Sequence, residues 1–198
     1  MLDALRQIIS DVDSAESFER ALSIVVARVS MNLGTEVCSI YLVDRATGQL
    51  RLVANEGFAA QAVGEVTLAV GEGVVGLVAE RAETINLDNA SEHPRYRYFG
   101  EIGEEAFNAF LGVPVIHNRR VLGVIAVQQR ESRRFDNEEE AFLVTLAAQL
   151  AHTVAHAEAT GEAAALVDSD YVARDTHYEG VPGAPGVAIG TAVLVHPG

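Results

Sequence analysis

The chain has 198 residues, 49% of them hydrophobic, and a formal net charge of −14. That length allows one full domain and part of a second around a sizeable core, and the acidic balance excludes a basic nucleic-acid-binding face and works against an anionic membrane surface. All 14 basic residues are Arg, which removes P-loop, Schiff-base and lysine general-base chemistry, and the single Cys38 removes disulfide scaffolds and cysteine-rich zinc sites.

The opening MLDALRQIISD has no basic stretch followed by an apolar one, so a signal peptide is not expected. No run of about eighteen apolar residues occurs, so neither is a membrane span, and the expected location is cytoplasmic. Leu5, Ile8, Ile9 and Val12 recur at helical spacing over Leu2 to Val12. A second helix follows, capped by Ser14 or Ser17, with Phe18, Leu22, Val25, Val29 and Leu33 as its stripe and Gly34 as its stop. Cys38, Ile40 and Leu42 alternate with Val37, Ser39 and Tyr41 in a strand that returns, after the turn Asp44–Gly48, over Leu50 to Asn55.

Val66 to Val70 reads as a short strand, Val74 to Arg81 as a short helix and Thr84 to Leu87 as a brief strand. Asp88 to Gly103 is polar, aromatic and irregular, and a loop that long inside a domain is commonly a lid or binding loop. Leu111–Ile116 and Val121–Val127 are short β-branched runs, apolar on both faces, about the polar break His117–Arg120. They predict two central antiparallel strands. Pro114 belongs at a bulge, strand end or edge, and Gly123 marks a close backbone approach.

Asp136 with Glu139 forms a capping-box start for a helix from Asn137 to about Ala159. Its stripe of Phe142, Leu146, Leu150 and Val154 is widened by Leu143, Val144 and Ala147. A face that broad predicts a second covering surface beyond the sheet, expected to be a partner helix in a homodimer. Residues 161–180 lose the period and read as a linker. Val181–Val195 gives a Pro/Gly lead-in and one alternating strand, expected to open a second, truncated domain.

This order of elements resembles a GAF domain. Thr35–Asp44 (TEVCSIYLVD), Gly71–Glu80 (GEGVVGLVAE), Ile85–Tyr96 (INLDNASEHPRY), Ala109–Ile116 (AFLGVPVI) and Leu122–Phe135 (LGVIAVQQRESRRF) together are similar to the GAF domain of one family. That family is enzyme I of the nitrogen phosphotransferase system, the phosphoenolpyruvate–protein phosphotransferases. Gly180–Gly190 (GVPGAPGVAIG) resembles the start of its phosphohistidine domain. The implied fold is α+β in α/β/α layers: a central antiparallel sheet, terminal helices on one face, short helices and a lid loop on the other. The implied domains are a sensory domain over 1–160, a linker over 161–180 and the start of the phosphohistidine domain over 181–198. The resemblance implies a parent enzyme that autophosphorylates from phosphoenolpyruvate with magnesium and passes the phosphoryl group to a small phosphocarrier protein. It also implies gating by a nitrogen signal such as glutamine or 2-oxoglutarate. The parent's catalytic motifs have no counterpart in this chain, so no catalytic residue and no cofactor is assigned to it.

Arg95, Tyr96, Arg97 and Tyr98 interleave guanidinium and phenol within the loop. An arginine fork suits a ligand carboxylate, and the tyrosines can close over it, beside Phe110 at the start of the central hairpin. Asn86 and Asp88 are placed to meet an α-amino group. The competing reading pairs both arginines with Glu92, Glu101, Glu104 or Glu105. Cys38 is a candidate pocket thiol, or else a core residue. His152 and His156, four apart on one helix, read as a polar strip rather than a metal site, and His117 as a turn residue. Arg130, Arg133 and Arg134 sit beside Asp136–Glu140 and predict a salt-bridged helix start. Two functions follow: a ligand-sensing regulator of a phosphotransferase, or a dimerisation module without a physiological ligand. A sulfoxide reductase of GAF type needs more cysteines than one.

Overall fold

The structure, a computed structural model, describes residues 1–97 and 107–167. The central strands form as their alternation predicts. β5 (Ala109–His117) and β6 (Arg120–Gln129) make an antiparallel hairpin. Its two turn residues, Asn118 and Arg119, have φ of 50° and 63°, the two-residue geometry whose twist matches its flanking strands. β6 pairs with β1 (Val37–Val43), β1 with β2 (Leu50–Glu56) and β2 with β3 (Thr67–Leu68). β4 (Ile85–Leu87) lies on the outer side of β5, giving the order β3-β2-β1-β6-β5-β4.

β4 covers only Phe110 to Gly112 of β5, so Pro114 lies beyond its end, next to a register shift at Val115/Ile116. A residue without an N–H is tolerated there because one flank of β5 has no partner strand. Gly123 meets the close approach expected of it: a Cβ built on it would lie 2.1 Å from the Tyr41 carbonyl oxygen.

One face of the sheet carries α1 (Leu2–Asp13), α2 (Phe18–Leu33), α4 (Asn137–Thr160) and α5 (Glu162–Val167). Ser17 caps α2 by accepting from the Arg20 N–H, and Gly34 closes it at φ 62°. At α4 both halves of the capping box are present: the Asp136 carboxylate accepts from the Glu138 and Glu139 N–H groups, and Glu139 accepts from Asp136 N–H. Leu22, Val25 and Val29 of α2 meet Ile40, Leu111 and Ile125 of the sheet and Leu143, Leu146 and Leu150 of α4 in the main core. The other face is covered by α3 (Gly73–Arg81) and by short turns around Ala62 and Ala90, which pack on Tyr41, Phe110, Val124 and Ala126. This is the expected α+β layering.

Two expectations change. The broad face of α4 is consumed within the chain: Phe142, Leu143, Leu146, Ala147, Leu150, Ala151, Val154 and Ala157 are buried, against β5, β6, α1, α2 and α5. Of the residues that widened the stripe, only Val144 stays exposed, at 41%. Periodicity records that a face is covered and not by which chain, so the width of α4 does not call for a second copy. The assigned linker also begins later than residue 161. Glu162–Val167 forms α5 with Ala163 and Val167 buried, held by Arg51 Nε donating to the Val167 carbonyl at 3.0 Å. Six residues are too few to display a helical period. The rest of that linker and the strand expected over 181–195 lie outside the described residues. Among the described residues, no helix is long and apolar enough to cross a membrane.

Candidate functional site

Between α3 and the second face of the sheet lies a cavity of about 30 Å³. Its floor comes from three neighbouring strands: Tyr41 of β1, Phe110 of β5 and Gln128 of β6. Phe110 and Gln128 are a direct cross-strand pair. Gly112 fixes the Phe110 ring, since a Cβ there would stand 2.7 Å from the ring and 2.8 Å from Val78 of α3. The N-terminal turn of α3 (Gly73, Val74, Val75) makes one wall, and Tyr96 and Arg97 make the roof. The base of the roof segment is tied to the sheet: Ala90 N–H donates to the Asn108 carbonyl at 2.6 Å, and the Ser91 hydroxyl to Asn108 Oδ1 at 2.9 Å.

The roof is latched to α3 by ion pairs. Arg97 pairs with Glu72, the residue before α3. Arg95 Nη1 donates to the Gly71 carbonyl at 2.6 Å and stands 3.6 Å from Glu80. The carboxylates that meet these arginines are therefore Glu72 and Glu80 of α3 and its approach. Glu92 does not take that role, and residues 101, 104 and 105 lie outside the described residues. Both guanidiniums remain about half exposed, so each pair is worth roughly 0–1 kcal/mol and opens easily.

Of the predicted site residues, Tyr96, Arg97 and Phe110 come together at the cavity. Arg95 stands behind the roof as a latch, and Tyr98 lies outside the described residues. Asn86 does not face the cavity: its carboxamide donates to the Phe135 carbonyl (2.9 Å) and Glu140 (3.0 Å) and accepts from Phe135 N–H. Asp88 is exposed, its carbonyl taken by the Ser132 hydroxyl at 2.7 Å. Cys38 is fully buried in the core on the opposite face. Burial, reinforced by the Glu56 charge, pushes its thiol pKa far above the usual range. The native protein is therefore expected to resist iodoacetamide at pH 8 and to react only on unfolding; rapid alkylation of the folded form would contradict this burial.

Sequence reasoning missed Tyr41, Gln128 and the start of α3. The legible signal was a polar side chain at an inward position of an otherwise apolar strand, which both Tyr41 and Gln128 supply. Elsewhere the charges pair locally: Arg133 holds Glu139 through two bonds at 2.7 and 2.9 Å, and this hydrogen bonding raises its pKa. His117 and His152 stack edge-on at 5.4 Å. A roomier cavity of about 190 Å³ lies on the helical face, between the β1–β2 turn and α4–α5. Its one carboxylate at the helix, Glu158, is claimed by Arg45 and Arg120.

A family model for the GAF domain matches residues 17–154. The chain is 44% identical over 189 residues to a protein of the phosphoenolpyruvate-dependent phosphotransferase system of Escherichia coli K12, covering 96% of this chain and 24% of that one. It thus spans about a quarter of the length of the curated relatives it matches. The GAF domain of a phosphoenolpyruvate–protein phosphotransferase from Coxiella burnetii superposes with a TM-score of 0.79 at 45% identity, over 81% of this chain and 96% of that one. The corresponding Acinetobacter domain gives 0.75 at 42% identity, with coverage of 81% and 96%. A free methionine-R-sulfoxide reductase from Neisseria meningitidis gives 0.69 at 22% identity, over 79% of this chain and 89% of that one, which indicates the fold alone. Fold, family model and these close relatives agree: the chain belongs to the GAF family, in the branch found in phosphoenolpyruvate–protein phosphotransferases.

Proposed function

We propose that this domain senses a small nitrogen metabolite, an amino acid or 2-oxo acid such as glutamine or 2-oxoglutarate, and gates a phosphoenolpyruvate-dependent protein phosphotransferase to which it is joined. The phosphoryl chemistry, its magnesium and its phosphocarrier partner belong to the longer protein, and no residue of this chain is assigned to them. The observation that carries the reading is Arg97: a guanidinium in the roof of a cavity, paired with a protein carboxylate that a ligand carboxylate can replace. About 30 Å³ holds no more than a water or two, so binding must move the segment around residues 90–97. Its latches are weak enough to allow that.

Titration calorimetry with glutamine and with 2-oxoglutarate tests the reading. Arg97→Ala is expected to weaken binding about tenfold, ~1.4 kcal/mol, and Arg95→Ala to act less, through the latch. Native binding matched by both variants overturns the lid assignment.

A second reading, a dimerisation module with no physiological ligand, draws on exposed apolar side chains of the helical layer. Met1 and Leu2 are 47% and 61% exposed and border the cleft beside Ala141 and Thr145 of α4, and Val144 is exposed on the same helix. A millimolar panel of nitrogen metabolites without any rise in melting temperature, together with a dimer in sedimentation, would favour it.

A further inference from the structure

Arg51 uses its guanidinium differently from most arginines of the domain. Arg28, Arg45, Arg120 and Arg133 each pair with a carboxylate. Arg51 instead donates to two backbone carbonyls that belong to opposite faces of the sheet. Its Nε reaches Val167, the last residue of α5, at 3.0 Å, and its Nη1 reaches Gly64 at 2.5 Å. Arg51 stands opposite Thr67, the first residue of the outermost strand β3, where one side chain can serve both faces. Gly64 belongs to the turn between Ala62 and β3 that covers the cavity face. Its N–H donates to the Leu52 carbonyl at 2.8 Å, and Leu68, at the end of the same short run, lines the cavity.

The other end of the bridge is a weakly held helix. The last carbonyls of a helix have no partner within it and carry partial negative charge. α5 has no basic residue in its last turn, so Arg51 brings the cation and the donor from β2. Six residues fall well below the roughly 12–15 at which a helix holds alone, and only Ala163 and Val167 of α5 are buried. Beneath them lies the cavity of about 190 Å³, bordered by Ala163, Ala164 and Val167, so close packing does not fix α5 on that side.

We propose that Arg51 is the positioning residue that couples the cavity face to α5, so that a shift of the turn at Gly64 loosens the helix leading on to residue 168. A planar guanidinium held by two acceptors has one orientation that serves both. When the Gly64 carbonyl moves away, the side chain regains rotamer freedom and its bond to Val167 weakens. This rests on the sensing function proposed above and goes further by naming the residue through which a change at the cavity reaches the helical layer. The coupling is reciprocal: release of α5 equally frees the turn.

Amide hydrogen exchange on the 198-residue chain tests the coupling without any ligand. The variants are Gly64→Val, Arg51→Met and the two combined. Gly64 has φ +83° and open space around it, so a β-branched residue there disturbs the turn through its backbone and not by a clash. With Arg51 in place, Gly64→Val is expected to speed exchange at residues 165–167 about tenfold, while residues 146–150 of α4 exchange as in the native protein. Arg51→Met is expected to speed the same α5 amides, and Gly64→Val then adds less than about twofold. Unchanged exchange at 165–167 in Gly64→Val overturns the proposal, as do effects of the two substitutions that simply multiply. Should Gly64→Val also speed exchange in α4, the milder Gly64→Ala repeats the comparison, and a uniform loss there overturns the proposal too. No ligand enters this cycle, so its failure leaves the sensing function to be decided separately by the metabolite titrations.

Discussion

Gly123→Ala lowers the stability of the domain by roughly 3 kcal/mol, the upper range for overpacking, because the added carbon meets backbone and not a movable side chain. The new Cβ would stand 2.1 Å from the Tyr41 carbonyl oxygen and 3.0 Å from Leu42 Cδ2. Gly123 pairs with Leu42 across the β1–β6 ladder, between the two middle strands of the six. Relief requires those strands to separate and so to weaken the hydrogen bonds that join the halves of the sheet. Urea denaturation measures the effect as a fall in midpoint at unchanged slope. Gly48→Ala is the control: Gly48 has φ +71° but open space around it, so only the left-handed backbone cost of about 1 kcal/mol is expected. Equal losses in the two variants would mean that the approach of β1 to β6 is not what position 123 protects.

The strand pattern behind that prediction was readable because each local signal has one physical cause. Alternation of Cys38, Ile40 and Leu42 against Ser39 and Tyr41 sorts β1 onto two faces, and the structure places the first set with the long helices and Tyr41 with α3. Ser17, Gly34 and the Asp136–Glu139 pair are caps whose partners lie within a few residues, so spacing suffices to find them. What a local pattern does not record is which segment covers a face. The width of α4 is taken up in part by α1 and α2, more than a hundred residues earlier, and in part by α5, whose six residues have no period to read.

The site follows the same division. Phe110, Tyr96 and Arg97 were legible as a hairpin start and an unusual loop. That Arg97 meets Glu72, and Arg95 the Gly71 carbonyl, is decided by where α3 lands on the sheet, and nearby glutamates looked equally good on paper. Cys38 shows the cost of ignoring strand parity: it is even-numbered with Ile40 and Leu42, the helix-facing set, whereas the cavity takes Tyr41 from the odd set. Parity applied to β6 singles out Gln128 over Gln129 in the same way. The cavity-facing set runs Val124, Ala126, Gln128 and ends in the amide.

Asn86→Ala separates a structural role from a ligand role at the residue where the two readings diverge most. In the structure its side chain answers both backbone groups of Phe135, donating to the carbonyl at 2.9 Å and accepting from the N–H at 3.2 Å, while also reaching Glu140. It thereby clamps the connection between β6 and α4 onto β4, just before the Asp136 cap. Phe135 is 3% exposed, so alanine strands one buried donor and one buried acceptor. At roughly 1 kcal/mol or somewhat more for each, the loss is about 2–3 kcal/mol, or a melting temperature lower by roughly 5–10 °C for a chain of this size. Affinity for any ligand, measured well below the new melting temperature, stays within about twofold of native because Asn86 is not part of the cavity wall. Asp88→Ala, at an exposed position, changes neither property. A variant of Asn86 that melts as the native protein does but no longer binds would place its carboxamide at the ligand, and the segment from β4 to Arg97 would then have to rearrange on binding to bring it there.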